Sequence, residues 1–151
     1  MTPQELPPPL ALFRMITGYY VSRAVHVAAQ LRIADLLAEG PVHVETLAGK
    51  TATHAPSLGR VLRLLASVGV LNAEEDGRFT LTPIGACLRS DVPGSMHAAA
   101  LVFGGNTQQA WSELGHSVRT GEPAFRKVFG ADAFVHLEQH PDEAATFDLA
   151  M

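Results

Sequence analysis

Cysteine is almost missing from this chain. Cys87 is the sole one, so no internal disulfide can form, and a reducing compartment suits the protein. Charge is scarce too: Asp, Glu, Lys and Arg make up 17% of 151 residues, with a net charge of −4. That balance gives no global attraction to nucleic-acid phosphate or to an anionic membrane. Arg14, Arg23, His26 and Arg32 interrupt the most apolar stretch, which leaves no membrane span. The opening MTPQELPPPL is proline-rich and lacks the basic region of a secretory leader, so a cytoplasmic location is expected. Gly104-Gly105 is the only glycine pair, and it has neither the G-x-G-x-x-G spacing nor a buried strand before it. No nucleotide-type cofactor site is therefore expected in this chain.

What the chain has in excess is apolar surface, with 47% hydrophobic residues. The stretch Val44–Asp91 organises it. A short helix carrying Val44, Leu47 and Ala48 runs into a break at Gly49-Lys50-Thr51. A second helix starts near Ser57, with Leu58, Val61, Leu62, Leu65 and Val68 at helical spacing until Gly69 stops it. Val70-Leu71-Asn72, a turn at Asp76-Gly77 and the alternating Phe79-Thr80-Leu81-Thr82 complete a two-stranded β-ribbon. The fold class expected is mainly α: a winged helix, that is a helix-turn-helix plus two-stranded ribbon, with extra N- and C-terminal helices. Residues 1–9 read as an extended arm, residues 10–91 as dimerisation helices and winged helix, and residues 92–151 as a helical lid region.

Leu10–Gln30 reads as one long helix, broken or bent near Gly18. Its apolar residues fill more than one stripe, and a domain of this size cannot surround such a helix, so a homodimer interface is expected. Leu31–Glu39 continues as a helix ended by Gly40-Pro41. Pro83 opens another, with Ile84, Cys87 and Leu88 facing inward and Cys87 as a small core residue. Met96–Phe103 starts a helix interrupted at Gly104-Gly105-Asn106 and resumed through Trp111, Leu114 and Val118. Arg119–Gly130 is rich in turn residues but carries Phe125, Val128 and Phe129, as cleft-lining loops do. Ala131–His140 is a short helix closed by Pro141, and the last helix is still open at Met151, an ending that looks like a cut.

Chemistry-bearing patterns are few. His136 and His140 have a spacing that can share a metal but lack a third ligand, so they read as a solvated helix end. Glu113 and His116 read as a surface pair rather than an acid–base couple. As a DNA reader, the second helix of the winged helix offers Arg60 and Arg63 but no Asn or Gln. The wing sets Glu74, Glu75 and Asp76 against Arg78. A winged-helix DNA-binding regulator is thus the disfavoured alternative.

The order of motifs carries a resemblance. GYYVSRAVHVAAQLRIADLLAEGP, LAGKTATHAPSLGRVLRLLASVGVL and GRFTLTPIGACLRSDVPGS are followed by W-x-x-L-x-x-S-V-R-T-G-E-P-A-F at Trp111–Phe125 and by VFGADAFVHLEQHPDEAATFDLAM. Together they resemble the N-terminal part of bacterial polyketide- and anthracycline-tailoring O-methyltransferases, with plant phenolic O-methyltransferases as more distant relatives. The resemblance implies a homodimerisation domain that roofs the site of an aromatic small-molecule substrate. It also implies S-adenosylmethionine for the intact enzyme, bound by a Rossmann-like domain that this sequence does not contain. No catalytic, cofactor or metal residue can be carried over. Substrate contacts implied by the resemblance are Phe103 and Thr107 before the tryptophan, Ala133 and Leu137 of the A-F-x-x-L helix, and Phe147 and Met151 of F-x-x-A-M. All but Thr107 are apolar, as a flat aromatic requires.

Overall fold

The computed structural model describes residues 6–151. The first five residues of the expected arm lie outside the described residues, and Pro8 and Pro9 already belong to the first helix. α1 spans Pro8–Gln30; proline fits its first turn because the N–H it lacks would have no helical partner there. Gly18 does not break it. A glycine in a helix interior costs about 1 kcal/mol relative to alanine, and a helix of 23 residues absorbs that.

The expected continuation over Leu31–Glu39 shrinks to one turn, α2 (Ile33–Leu36), because Arg32 adopts a left-handed conformation (φ 54°) and turns the chain. A polar knot holds the corner. Arg32 donates to Asp35 Oδ2 at 2.9 Å and to the Ser90 hydroxyl at 2.6 Å. Ser90 in turn donates its backbone N–H to Asp35 Oδ1 at 2.8 Å and its hydroxyl to Oδ2 at 3.0 Å.

α3 (Val44–Thr51) runs through Gly49-Lys50-Thr51 without the expected break and ends at Ala52, which is left-handed with φ 53°. α4 (Ala55–Ser67) follows and is stopped by Gly69 at φ +79°. The ribbon has three strands, not two: β1 (Val42–His43), β2 (Leu71–Ala73) and β3 (Arg78–Leu81), antiparallel in the order β1-β3-β2. Val42 and Ala73 both pair with Phe79, from opposite sides. Two residues are too few to show alternation, so β1 leaves no pattern in the sequence. Arg78 bridges Glu74 and Asp76 across the hairpin turn.

The core forms where α4 lays Leu58, Leu62 and Leu65 on Leu47, Ile33, Leu37, Phe79 and the alanines Ala24 and Ala28 of α1. α5 (Pro83–Ala86) is capped by the Thr82 hydroxyl, which accepts from the Gly85 N–H at 3.1 Å. Ile84 and Cys87 do not face inward as expected; both are exposed. In so short a helix the inward position is Gly85, where an added Cβ would lie 2.1 Å from the Val70 carbonyl oxygen.

The second half is a chain of short helices: α6 (His97–Gly104), α7 (Asn106–Ser112), α8 (Leu114–Thr120), α9 (Ala124–Phe129), α10 (Ala133–Gln139) and α11 (Pro141–Ala150). The turn-rich segment Arg119–Gly130 thus contains a helix, bounded by left-handed Gly121 and Gly130. α6 packs on both α1 and α11.

The knot at Arg32 makes stability depend on pH. Partial burial opposes ionisation of Asp35, but the Ser90 N–H, the Arg32 guanidinium and the Ser90 hydroxyl outweigh it and hold the carboxyl below its usual range. A carboxylate lowered on folding stabilises the fold above its unfolded value, near 3.9, and loses that contribution as pH falls through the folded value. Wild type should therefore melt above Asp35→Asn at pH 7, and the gap should close toward pH 3 in differential scanning calorimetry. A gap that does not change with pH would show that the ionised carboxylate is not its source.

Candidate functional site

A cavity of about 620 Å³ lies among α1, α6, α7, α9, α10 and α11, a size that accommodates a drug-sized molecule. It exists because of the way two glycines shape the end of α6. Gly104 faces α1 so closely that an added Cβ would fall 2.4 Å from the Cβ of His26, and Arg23 donates to the Gly104 carbonyl. Gly105 (φ −94°, ψ −119°) then ends α6 and redirects the chain into α7, which lines the cavity with residues from Asn106 to Trp111.

Two histidines line the cavity, and both are buried. His26 sits 3.0 Å from the Ala100 carbonyl through Nδ1. A carbonyl only accepts, so Nδ1 carries the proton and Nε2 is left as an acceptor without a protein partner among the described residues. His136 belongs to a polar cluster instead. Its Nε2 lies 3.0 Å from Glu143 Oε2, and the Asn106 amide donates to the same oxygen at 2.6 Å. Asn106 and His136 are 3.4 Å apart, two donors converging on one carboxylate.

His136 is therefore not part of a solvated helix end, as its spacing implies. Phe125 and Phe129 pack on its ring with centroids at 5.5 and 5.0 Å, and His140 stacks on it at 4.0 Å. The i,i+4 spacing serves this stack and a contact between His140 Nδ1 and the His136 carbonyl. α10 is set in place by Arg126, which grips Asp132 through two nitrogens at 3.0 and 2.8 Å. That grip, foremost its side-chain hydrogen bond, holds the Asp132 carboxyl below its usual range. Glu113 pairs with Lys127 Nζ at 2.5 Å rather than with His116, and its carboxyl is lowered by that bond.

Of the six residues implied as substrate contacts, Thr107, Ala133, Leu137 and Phe147 line the cavity together. Phe103 and Met151 do not; both are exposed outside it. Phe147 meets Phe134 edge-on at 6.4 Å. Phe125, though not Val128 or Phe129, lines the cavity as the reading of Arg119–Gly130 expects, whereas sequence reasoning missed His26, Asn106, Trp111 and Glu143, which also line it. The available signal was His26 and Gln30, two polar residues four apart on one face of the apolar carboxy-terminal end of α1.

The arrangement is a cavity with aromatic walls and hydrogen-bond acceptors. It fits the comparisons with known proteins. Residues 13–91, just over half of the chain, match the model of the O-methyltransferase dimerisation domain. The chain belongs to that family.

A phenazine O-methyltransferase of Lysobacter antibioticus, PhzM, is 47% identical over 139 residues, covering 92% of this chain and 41% of its own length. The crystal structure of LaPhzM superimposes with a TM-score of 0.93 at 46% identity, over 96% of this chain and 44% of that one. The neocarzinostatin O-methyltransferase NcsB1, solved with S-adenosylmethionine and 2-hydroxy-5-methyl naphthoic acid, gives a TM-score of 0.81 at 31% identity, over 97% of this chain and 44% of that one. The dimerisation domain described here thus spans about two-fifths of the length of the curated relatives it matches. Nothing in these matches supports a DNA-binding regulator. Among the described residues no helix is long and apolar enough to cross a membrane.

Gly104 gives the sharpest test of the cavity's frame. Gly104→Ala must push α1 and α6 apart and should cost about 1–3 kcal/mol in urea denaturation, the usual range for overpacking. Gly49→Ala, on an exposed helical position with nothing within 4 Å, should instead be neutral or stabilising by up to about 1 kcal/mol.

Proposed function

We propose that this chain is the dimerisation and substrate-roofing domain of an S-adenosylmethionine-dependent O-methyltransferase acting on a hydroxyl of a flat, polyketide-like aromatic. The observation that carries the reading is the amino-terminal half of α1. Leu10, Leu12, Phe13, Met15, Ile16, Tyr19 and Tyr20 are between 44% and 77% exposed there. Single exposed apolar residues are ordinary, whereas seven large apolar side chains exposed on one helix end mark an interface. A second copy of the chain covers it in this reading, making the protein a homodimer.

α3, α4 and the hairpin β2–β3 form the winged helix of the domain, used as scaffold rather than as a reader of DNA. Residues 10–91 serve the dimer and residues 92–151 form the lid. Thr107, Ala133, Leu137 and Phe147 contact the substrate from within the cavity, with Phe103 and Met151 at its outer margin. S-adenosylmethionine supplies the methyl group in the intact enzyme, and no residue of this chain binds it. The contribution of these residues is to hold the aromatic ring and keep water from it, so that the hydroxyl meets its reaction partner in line.

Sedimentation velocity tests the dimer. The chain should sediment as a dimer at micromolar concentration, and Phe13→Glu with Ile16→Glu should yield a folded monomer with unchanged helical circular dichroism. A wild-type monomer would refute the reading of α1.

A further inference from the structure

His26 turns a buried, unpartnered polar atom to the cavity. The residue is 5% exposed, and its ring is pressed against the end of α6. A Cβ added at Gly104 would fall on its Cβ, Cγ and Nδ1, and one at Gly105 would lie 3.7 Å from its Cε1. Nδ1–H is spent on the Ala100 carbonyl at 3.0 Å. This fastens one edge of the ring and leaves Nε2, on the far edge, as a lone-pair acceptor. Nε2 has no protein partner among the described residues, yet it is not sealed in. Among those residues the side-chain atom that is both sealed and unpartnered is Nδ1 of His97. Because His26 lines the cavity, Nε2 opens into it. The polar groups of the other helices do not reach it, since the Asn106 amide and the His136 ring both donate to Glu143.

An acceptor held in a buried wall and left unpaired costs stability, and a donor on a bound molecule removes that cost. The apolar wall residues Leu101 and Phe147 grip a flat ring through contact area alone, which leaves it free to turn in its own plane. One directed hydrogen bond takes that freedom away. We infer that His26 Nε2 anchors the substrate by accepting a hydrogen bond from a substituent on its ring. A residue of α1 then decides which edge of the ring faces that helix. This rests on the reading of the cavity as an aromatic chamber and adds the residue that orients the ring within it.

The probes are 2-naphthol, neutral at pH 8, and 2-fluoronaphthalene, which has nearly the same shape and no donor. That pH lies above the range in which imidazoles ordinarily titrate. Trp111 is the only tryptophan and lines the cavity, so its indole N–H resonance reports binding in an NMR titration of the 151-residue chain. Comparing the ratio of the two affinities between variants cancels the difference in hydrophobicity of the probes. His26→Asn keeps an amide donor near the place of Nδ1 and removes Nε2, whereas His26→Gln sets an amide oxygen near the place of Nε2. His26→Asn should lower the wild-type ratio about fivefold, the effect of one hydrogen bond. His26→Gln should bring it back to within about twofold of wild type, and Glu75→Asn, on the exposed hairpin turn, should leave it unchanged. In the unmodified chain, the His26 Nε2 resonance, read through long-range nitrogen–proton correlation, should move with 2-naphthol and far less with 2-fluoronaphthalene.

An Nε2 resonance that 2-naphthol does not move, a ratio indifferent to His26→Asn, or a ratio that falls with Glu143→Gln instead would overturn the anchor while leaving the aromatic chamber standing. Failure of both probes to move the Trp111 resonance would overturn the chamber itself, and the anchor with it.

Discussion

The close approach of α1 and α6 at Gly104 governs the second half of this molecule. With hydrogen as its side chain, Gly104 lets the His26 ring lie against the backbone of α6, and Arg23 fastens the same point by donating to the Gly104 carbonyl. α11 also packs on α6. Any side chain at Gly104 would separate the helices, and because interiors are close-packed the shift would spread to the cavity walls. The contact also selects the histidine tautomer, since α6 brings the Ala100 carbonyl to Nδ1. One small residue thus sets both the width of the chamber and the hydrogen-bonding character of a buried histidine in its wall.

The long first helix divides its work along its length. Its carboxy-terminal half is buried through Ala24, Ala28 and Ala29, small residues that bring α4 and α6 close. Its amino-terminal half carries large apolar side chains that this chain does not cover. Such a helix would be marginal alone, and packing accounts for most of its stability. A partner's surface on the uncovered half is the completion that the apolar composition of the chain calls for.

Much of this was legible because hydrophobic period and turn chemistry are local. The spacing of Leu58, Leu62 and Leu65 marked α4, Gly69 marked its end, and Asp76-Gly77 marked the hairpin turn. What escaped depends on tertiary contacts. Arg32 and Ala52 turn left-handed without being glycine, and a sequence offers no sign of that. The strand β1 is two residues long and exists only because β3 offers it an edge. Ile84 and Cys87 point outward because Gly85 takes the inward place on the Val70 carbonyl. In the site, the apolar contacts implied by family resemblance fell partly within the cavity, whereas the cluster of Asn106, His136 and Glu143 joins three separate helices. No spacing rule reaches across such a gap.

The amino-terminal core cluster and the chamber share no side chain. The cluster that holds the amino-terminal half together runs from Ala24 to Phe79, whereas the chamber draws on His26 and Gln30 and then only on residues from Leu101 onward. Helices of six to eight residues form most of its wall, each too short to persist without its neighbours. A lineage carrying this architecture can exchange wall residues one at a time while its foundation keeps the same strength. Diversification of the ligands it accepts then proceeds largely free of the stability threshold that slows change in most enzymes.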